Sequence, residues 1–163
     1  MSIVYNKLGV LYKDQGDNEK ALFYYKAAKE YSDEASGSAS PEALRSSFID
    51  NLKIGEALEA QGKLDDALES YQKIYPIAKE LRKMAPSDQS ERDYFIALIK
   101  LGDIAYKKKN NDDAYVYYDE ARVISEKLKE KNPGRQAEYD YMYTMQQLGF
   151  VKKGKKKWFA FWK

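Results

Sequence analysis

The run Gly149-Phe150-Val151-Lys152-Lys153-Gly154-Lys155-Lys156 comes close to a phosphate-binding loop. It carries Lys156 where a Ser or Thr must hold magnesium, and no strand-like segment precedes it, so nucleotide chemistry is not expected. The paired acids Asp65-Asp66 and Asp112-Asp113 have the oxygens of a metal site or an acid–base dyad. Adjacent residues on a helix point about 100° apart, however, and each pair opens a helical segment, where negative charge favourably meets the helix dipole. Asn110-Asn111-Asp112-Asp113 also lacks the alternating acids and glycine of a calcium loop. The 15 tyrosines could stack on bases or sugars, but Tyr25, Tyr71, Tyr75, Tyr117 and Tyr118 fall on apolar helical stripes, where packing accounts for them.

The chain contains neither histidine nor cysteine. It therefore lacks the commonest general base near neutral pH, the commonest transition-metal ligand, any thiol nucleophile and any disulfide. No catalytic residue, cofactor or metal is assigned, and the sequence reads as that of a non-enzyme. The net charge of +2 is uneven: Lys152, Lys153, Lys155, Lys156, Lys157 and Lys163 lie in the last 12 residues without an acid among them. The remaining body is mildly acidic, unlike the broad basic stripe of a nucleic-acid-binding surface. At 44% hydrophobic and 33% charged residues the chain is apolar enough to bury a core. No apolar run approaches the roughly 20 residues of a membrane-spanning helix, and Met1 to Gly9 lacks a signal-peptide core, so a cytoplasmic location is expected.

The elements that position these residues are repeated. Leu8-Gly9, Ile54-Gly55, Leu101-Gly102 and Leu148-Gly149 recur at intervals of 46, 47 and 47 residues. Laying 48–94 over 95–141 pairs Phe48 with Phe95, Gly55 with Gly102, Asp65-Asp66-Ala67 with Asp112-Asp113-Ala114, Tyr71 with Tyr118 and Pro86 with Pro133. Ala67, Tyr71, Ile74, Ala78 and Leu81 step by three or four, as do Ala114, Tyr118, Ala121, Ile124 and Leu128, giving one apolar stripe per helix. Gln15-Gly16-Asp17, Gln61-Gly62-Lys63 and Asn110-Asn111 mark tight turns, and Asp88 followed by Glu91 reads as a capping-box start. The spacing predicts seven helices near 2–15, 17–35, 41–61, 64–84, 89–109, 111–131 and 135–153. Pro76 predicts a local kink in the fourth.

Leu8, Gly9, Tyr12, Gly16, Ala21, Tyr25 and Ala28 resemble the signature of the tetratricopeptide repeat family, and Leu101, Gly102, Ala114, Tyr118 and Ala121 repeat it. The second unit keeps Ile54, Gly55, Gly62, Ala67 and Tyr71 but has Ile74 for the last alanine. The period exceeds the family's usual 34 or so residues, which longer helices would explain. The resemblance implies an all-α fold, a right-handed α-α superhelix of about three and a half repeats over residues 1–154. It also implies a non-catalytic scaffold that binds a peptide or helix of a partner protein in a groove lined by first helices. Transferring that surface by the aligned leucine-glycine pairs nominates Asn6, Val10 and Lys13; Ile49, Leu52, Lys53, Glu56 and Glu59; Ile96, Ile99, Lys100, Asp103 and Tyr106; and Tyr143, Gln146, Phe150 and Lys153. Glu56, Glu59 and Asp103 would suit a basic partner segment.

Residues 155–163 form a basic aromatic tail bearing Trp158, Phe159, Phe161 and Trp162. Such a cluster is costly to leave in water. A cap over the exposed end of the repeats is expected, with docking on anionic lipid as a peripheral membrane adaptor the alternative and self-association a third reading. The partner's identity, the pathway and the oligomeric state are not encoded in any motif.

Overall fold

A computed structural model describes the backbone of residues 2–35 and 40–160 and the side chains of 2–33 and 40–152. Seven helices lie in these residues: α1 (Ser2–Asp14), α2 (Asn18–Ala35), α3 (Pro41–Ala60), α4 (Leu64–Met84), α5 (Asp88–Lys107), α6 (Asn111–Lys131) and α7 (Arg135–Ala160). No strand occurs among them. The first six match the expected segments to within a few residues, because apolar periodicity and turn residues agree on each boundary. The seventh is longer than expected, running on as one helix to Ala160. The aromatic tail thus begins inside α7, and its side chains lie outside those described.

The chain divides into two compact units, Met1–Pro86 with α1 to α4 and Ser87–Lys163 with α5 to α7. In the first unit α1 packs on α2, α2 on α3 and α3 on α4; in the second, α5 packs on α6 and α6 on α7. The core of the first unit is built from Ala21, Tyr25 and Ala28, from Phe48, Ile54 and Ala57, and from Ala67, Tyr71, Ile74, Ala78 and Leu81. The second buries Tyr94, Phe95, Leu98, Leu101 and Ile104 with Ala114, Tyr118, Ala121, Ile124 and Leu128. Ile99, Ala105 and Tyr115 pack on the cluster of Ala114, Tyr118, Leu148 and Val151. Both second-helix stripes read from the sequence are therefore core. Tyr75 and Tyr117, expected with them, are only half-buried.

The three tight turns share one hydrogen-bond pattern. Gly16 N–H donates to Lys13 O and Asp17 N–H to Tyr12 O; Gly62 N–H donates to Glu59 O and Lys63 N–H to Leu58 O. The third turn repeats this with Lys109 N–H to Tyr106 O and Asn110 N–H to Ala105 O. This satisfies the last carbonyls of a helix and demands a left-handed residue, supplied by Gly16 (φ 80°), Gly62 (φ 75°) and Lys109 (φ 61°). The sequence reading put the third turn one residue late: Asn110 instead caps α6, accepting from Asp113 N–H at 3.3 Å. The cap of α5 is likewise Ser87, paired reciprocally with Ser90, rather than Asp88 with Glu91. The Ser87 hydroxyl accepts from Ser90 N–H at 3.1 Å, and the Ser90 hydroxyl accepts from Ser87 N–H at 2.9 Å. α4 continues through Pro76 without ending.

Within each pair a tyrosine ring of the second helix lies where a glycine side chain would be. A Cβ on Gly9 would come 2.4 Å from Tyr25 Cε1, on Gly55 2.4 Å from Tyr71 Cε1, and on Gly102 2.7 Å from Tyr118 Cε1. Gly149 differs: among the described residues nothing lies within 4 Å of its Cβ position. Gly102→Leu should therefore lower stability by about 1–3 kcal/mol through overpacking. Gly149→Leu should raise it by about 0.5–1 kcal/mol, since leucine only replaces a poor helix former there. Urea unfolding of both variants checks the contrast; equal shifts would exclude the ring contact as the cause. Lys109→Gly should add about 1 kcal/mol by relieving the left-handed side chain, read from the same unfolding midpoint.

Candidate interaction surfaces

The first-helix positions nominated from the sequence divide sharply by what they touch. In the first unit, Asn6 and Val10 on α1 and Lys53 on α3 line one open pocket together with Ile3 and Lys7. Asn6 links the helices: its Nδ2 donates to Asp50 Oδ1 at 2.9 Å, and its Oδ1 accepts from Lys53 Nζ at 3.3 Å. The Lys53 ammonium lies 5.6 Å from the Tyr25 ring centroid. Partial burial lowers its pKa, opposed by the charges of Asp50 and Glu56. Asp50 is buried on the α3 side of this link. The pocket thus combines two ammonium groups and an amide with the apolar side chains of Ile3 and Val10.

The acids nominated to receive a basic partner are already engaged. Glu56 Oε2 meets Lys13 Nζ at 3.0 Å. Glu59 Oε2 accepts from the Tyr71 hydroxyl at 2.7 Å. Asp103 accepts from Tyr118 at 2.7 Å and from Tyr143 at 2.9 and 3.0 Å. The buried tyrosine that fills the glycine slot thus points its hydroxyl at a carboxylate on the first helix, which satisfies an otherwise buried donor. Glu56, Glu59 and Asp103, expected to suit a basic partner segment, therefore each hold a partner within the chain. Sequence spacing cannot show this, because the tyrosines and acids meet only across the helix pair.

The other nominated positions scatter. Leu52, Ile96, Ile99 and Lys100 are half-buried. Val10, Lys13, Ile49, Tyr106, Gln146 and Phe150 are exposed. Lys153 lies outside the described side chains, as do Trp158, Phe159, Phe161 and Trp162. Asp65-Asp66 and Asp112-Asp113 fall in the first turns of α4 and α6, as the dipole argument requires.

One feature of the second unit was missed in the sequence. Gln89 Nε2 donates to the buried Asp93 at 2.8 Å, and Gln136 Nε2 donates to the buried Asp140 at 2.8 Å. Arg92 Nη1 lies 3.2 Å from Asp140 Oδ2 without hydrogen-bond alignment. The signal was available as a Gln-x-x-x-Asp pattern recurring after 47 residues.

Consecutive helix pairs, each locked by a tyrosine on a glycine and presenting first-helix surfaces, define a helical repeat protein of the solenoid kind. The family model of the tetratricopeptide repeat matches residues 1–80, and the second unit continues the same lock with Gly102 and Tyr118, which together support the tetratricopeptide repeat family. Among solved structures the chain resembles the yeast histone chaperone Hif1, described as a scaffold protein recruiting protein complexes to core histones. The likeness has a TM-score of 0.68 at 14% identity and covers 83% of this chain and 55% of the other, so the chain spans about half that relative's length. At that identity the likeness is one of fold. No curated protein matches the sequence. No helix among the described residues is long and apolar enough to cross a membrane.

Burial, reinforced by Asp103, pushes the Tyr118 hydroxyl far above its ordinary pKa of 10.0. A tyrosine with a raised folded-state pKa contributes stability that is complete below about pH 10 and lost as pH rises above it, where the unfolded chain ionises first. Alkaline unfolding should therefore set in above about pH 10, and Tyr118→Phe should flatten that dependence while costing about 1.5–3 kcal/mol at neutral pH. Denaturant midpoints measured from pH 7 to 11 check both.

Proposed function

We propose that this chain is a non-catalytic protein-interaction scaffold whose first-helix surface binds a segment of a partner protein. The observation that carries the reading is the convergence of Ile3, Asn6, Lys7, Val10 and Lys53 on one open pocket. Three of these residues had been nominated from the repeat alignment alone. Because Glu56 and Glu59 are tied up internally, the charge offered to a ligand here comes from Lys7 and Lys53. The matching segment places a carboxylate or carbonyl against the ammonium groups and the Asn6 amide, and an apolar side chain between Ile3 and Val10. The scaffold description of the yeast structural relative supports the general class, and nothing about histones is carried over from it.

Val10 is exposed, and Lys7 sits on the open face of α1, so both can be changed without disturbing the core. Proteins retained by the immobilised chain would be identified, and the captured partner then titrated by calorimetry against wild type and the Val10→Asp, Lys7→Glu double variant. Binding should fall at least about tenfold, a loss of some 1.4 kcal/mol, with an unchanged unfolding midpoint. Equal affinity for both proteins would move the site away from this pocket.

A further inference from the structure

Between α2 and α4 the first unit holds a second groove, of about 430 Å³, floored by α3. Gln61 at the end of α3 donates to Asn18 O at the start of α2, at 2.9 Å, and the hydroxyls of Ser32 and Ser46 meet at 3.0 Å near the other ends of the same two helices. α3 therefore runs antiparallel to α2. The turn at Gly62 makes it antiparallel to α4 as well, so α2 and α4 run the same way along the groove. In this register Lys26, Lys29 and Lys73 gather at the level of Asn51, whereas Asp66 and Glu69 stand at the level of Leu58, nearer the turn between α3 and α4. Asp66 and Lys73 lie about 10 Å apart along the α4 axis. Opposite charges thus hold opposite ends of one groove.

These charges are not consumed inside the fold. Lys29 pairs with Asp33 at 2.5 Å, but Lys26, Lys73, Asp66 and Glu69 are exposed and their charged groups have no partner among the described residues. A buried acceptor borders the groove between them. Asn51 is 4% exposed; its Nδ2 donates to Ser47 O at 2.8 Å, and its Oδ1 accepts from no donor among the described residues. In the repeat Asn51 stands where α5 carries Leu98, which is fully buried. Packing at that position is met by an aliphatic side chain, so packing does not account for the amide. Burying an amide with an open acceptor is costly unless a donor arrives.

We propose that this groove binds an extended segment of a partner protein that carries a basic and an acidic side chain three residues apart with an aliphatic one between them. A main-chain N–H of the segment donates to Asn51 Oδ1, and the aliphatic side chain lies against Ile54 and Leu58 on the floor. The basic side chain meets Asp66 and Glu69, and the acidic one meets Lys26 and Lys73. Three residues of extended chain span about 10 Å, the separation of the two charged ends. A helical segment fits less well, because its main-chain amides are already bonded internally and offer Asn51 no donor. A simple anion would leave Asp66 and Glu69 without a complement. The groove is separate from the α1/α3 pocket: Asn51 and Lys53 point about 160° apart around α3, so the two sites use opposite faces of that helix.

Two blocked peptides with the cores Lys-Leu-Ala-Glu and Glu-Ala-Leu-Lys serve as probes, one for each chain direction, and are titrated into the full chain while amide shifts are followed by NMR. Saturable binding of at least one is expected, with the shifts centred on Asn51 and Lys73. Asn51→Leu should weaken it at least about tenfold without lowering the urea unfolding midpoint, because the repeat itself carries leucine there. Glu69→Lys and Lys73→Glu, both at exposed positions, should each weaken it to a similar degree. Should Asn51→Leu destabilise the chain, these two variants decide, and binding indifferent to both overturns the proposal. Val10→Asp with Lys7→Glu should leave peptide binding unchanged; its loss in that variant would place the peptide in the α1/α3 pocket and overturn the assignment. Equal affinity for a peptide with the core Glu-Leu-Ala-Glu would make the groove a plain anion site and overturn it too. So would the absence of saturable binding by either mixed peptide.

Discussion

A tyrosine ring seated on a glycine holds each helix pair at its distance. The ring can reach that position only because the first helix has no Cβ there, and the helices approach closely only because the ring fills what the glycine leaves. Tyr25, Tyr71 and Tyr118 each follow their glycine by 16 residues, the length that a tight turn and two antiparallel helix ends require. Around the ring the small residues Ala67 and Ala114 sit one turn before Tyr71 and Tyr118, fully buried. Burial of a phenol demands a partner for its hydroxyl, and Glu59 and Asp103 supply it from the first helix. Packing and polar satisfaction are thus one device, used in both units.

That device also determines which side chains remain at the surface. Second helices bury Tyr25, Tyr71 and Tyr118 and the alanines beside them in the core, while Phe23 and Val116 stay exposed. Part of the first-helix charge is consumed as well, by Tyr71, Tyr118, Tyr143 and Lys13. What remains in the first unit is a pocket in which a partly desolvated lysine, an exposed lysine and an amide surround two aliphatic side chains. α7 packs its inner face on α6, and among the described residues no ring lies on its glycine, Gly149.

The helices, their order and most of their limits were legible in the sequence because local signals agree: apolar steps of three and four, left-handed glycines at Gly16 and Gly62, acids in first turns. The core stripes of α4 and α6 follow from the same periodicity. Where two local signals competed, the reading slipped, as when Asp88 and Glu91 outweighed the serine pair at the start of α5. Lys109 in the left-handed region was equally hidden, because the hydrogen bonds of the turn rather than its residue type select that conformation.

What the sequence determined by itself, then, is the repeat: a fixed period imposes the same residue on the same helix face each time, and burial follows from the face. It also nominated Asn6, Val10 and Lys53 through their register in that period. Only the tertiary structure decided which side chains are free. Glu59 and Tyr71, 12 residues apart, or Asp103 and Tyr143, 40 apart, become partners because folded helices bring their faces together. Likewise Gly149 reads as identical to Gly102 in the sequence, yet Gly102 receives a tyrosine ring and Gly149 receives none from the described residues. A residue type records what a position can accommodate, and the neighbouring helix determines whether anything is there.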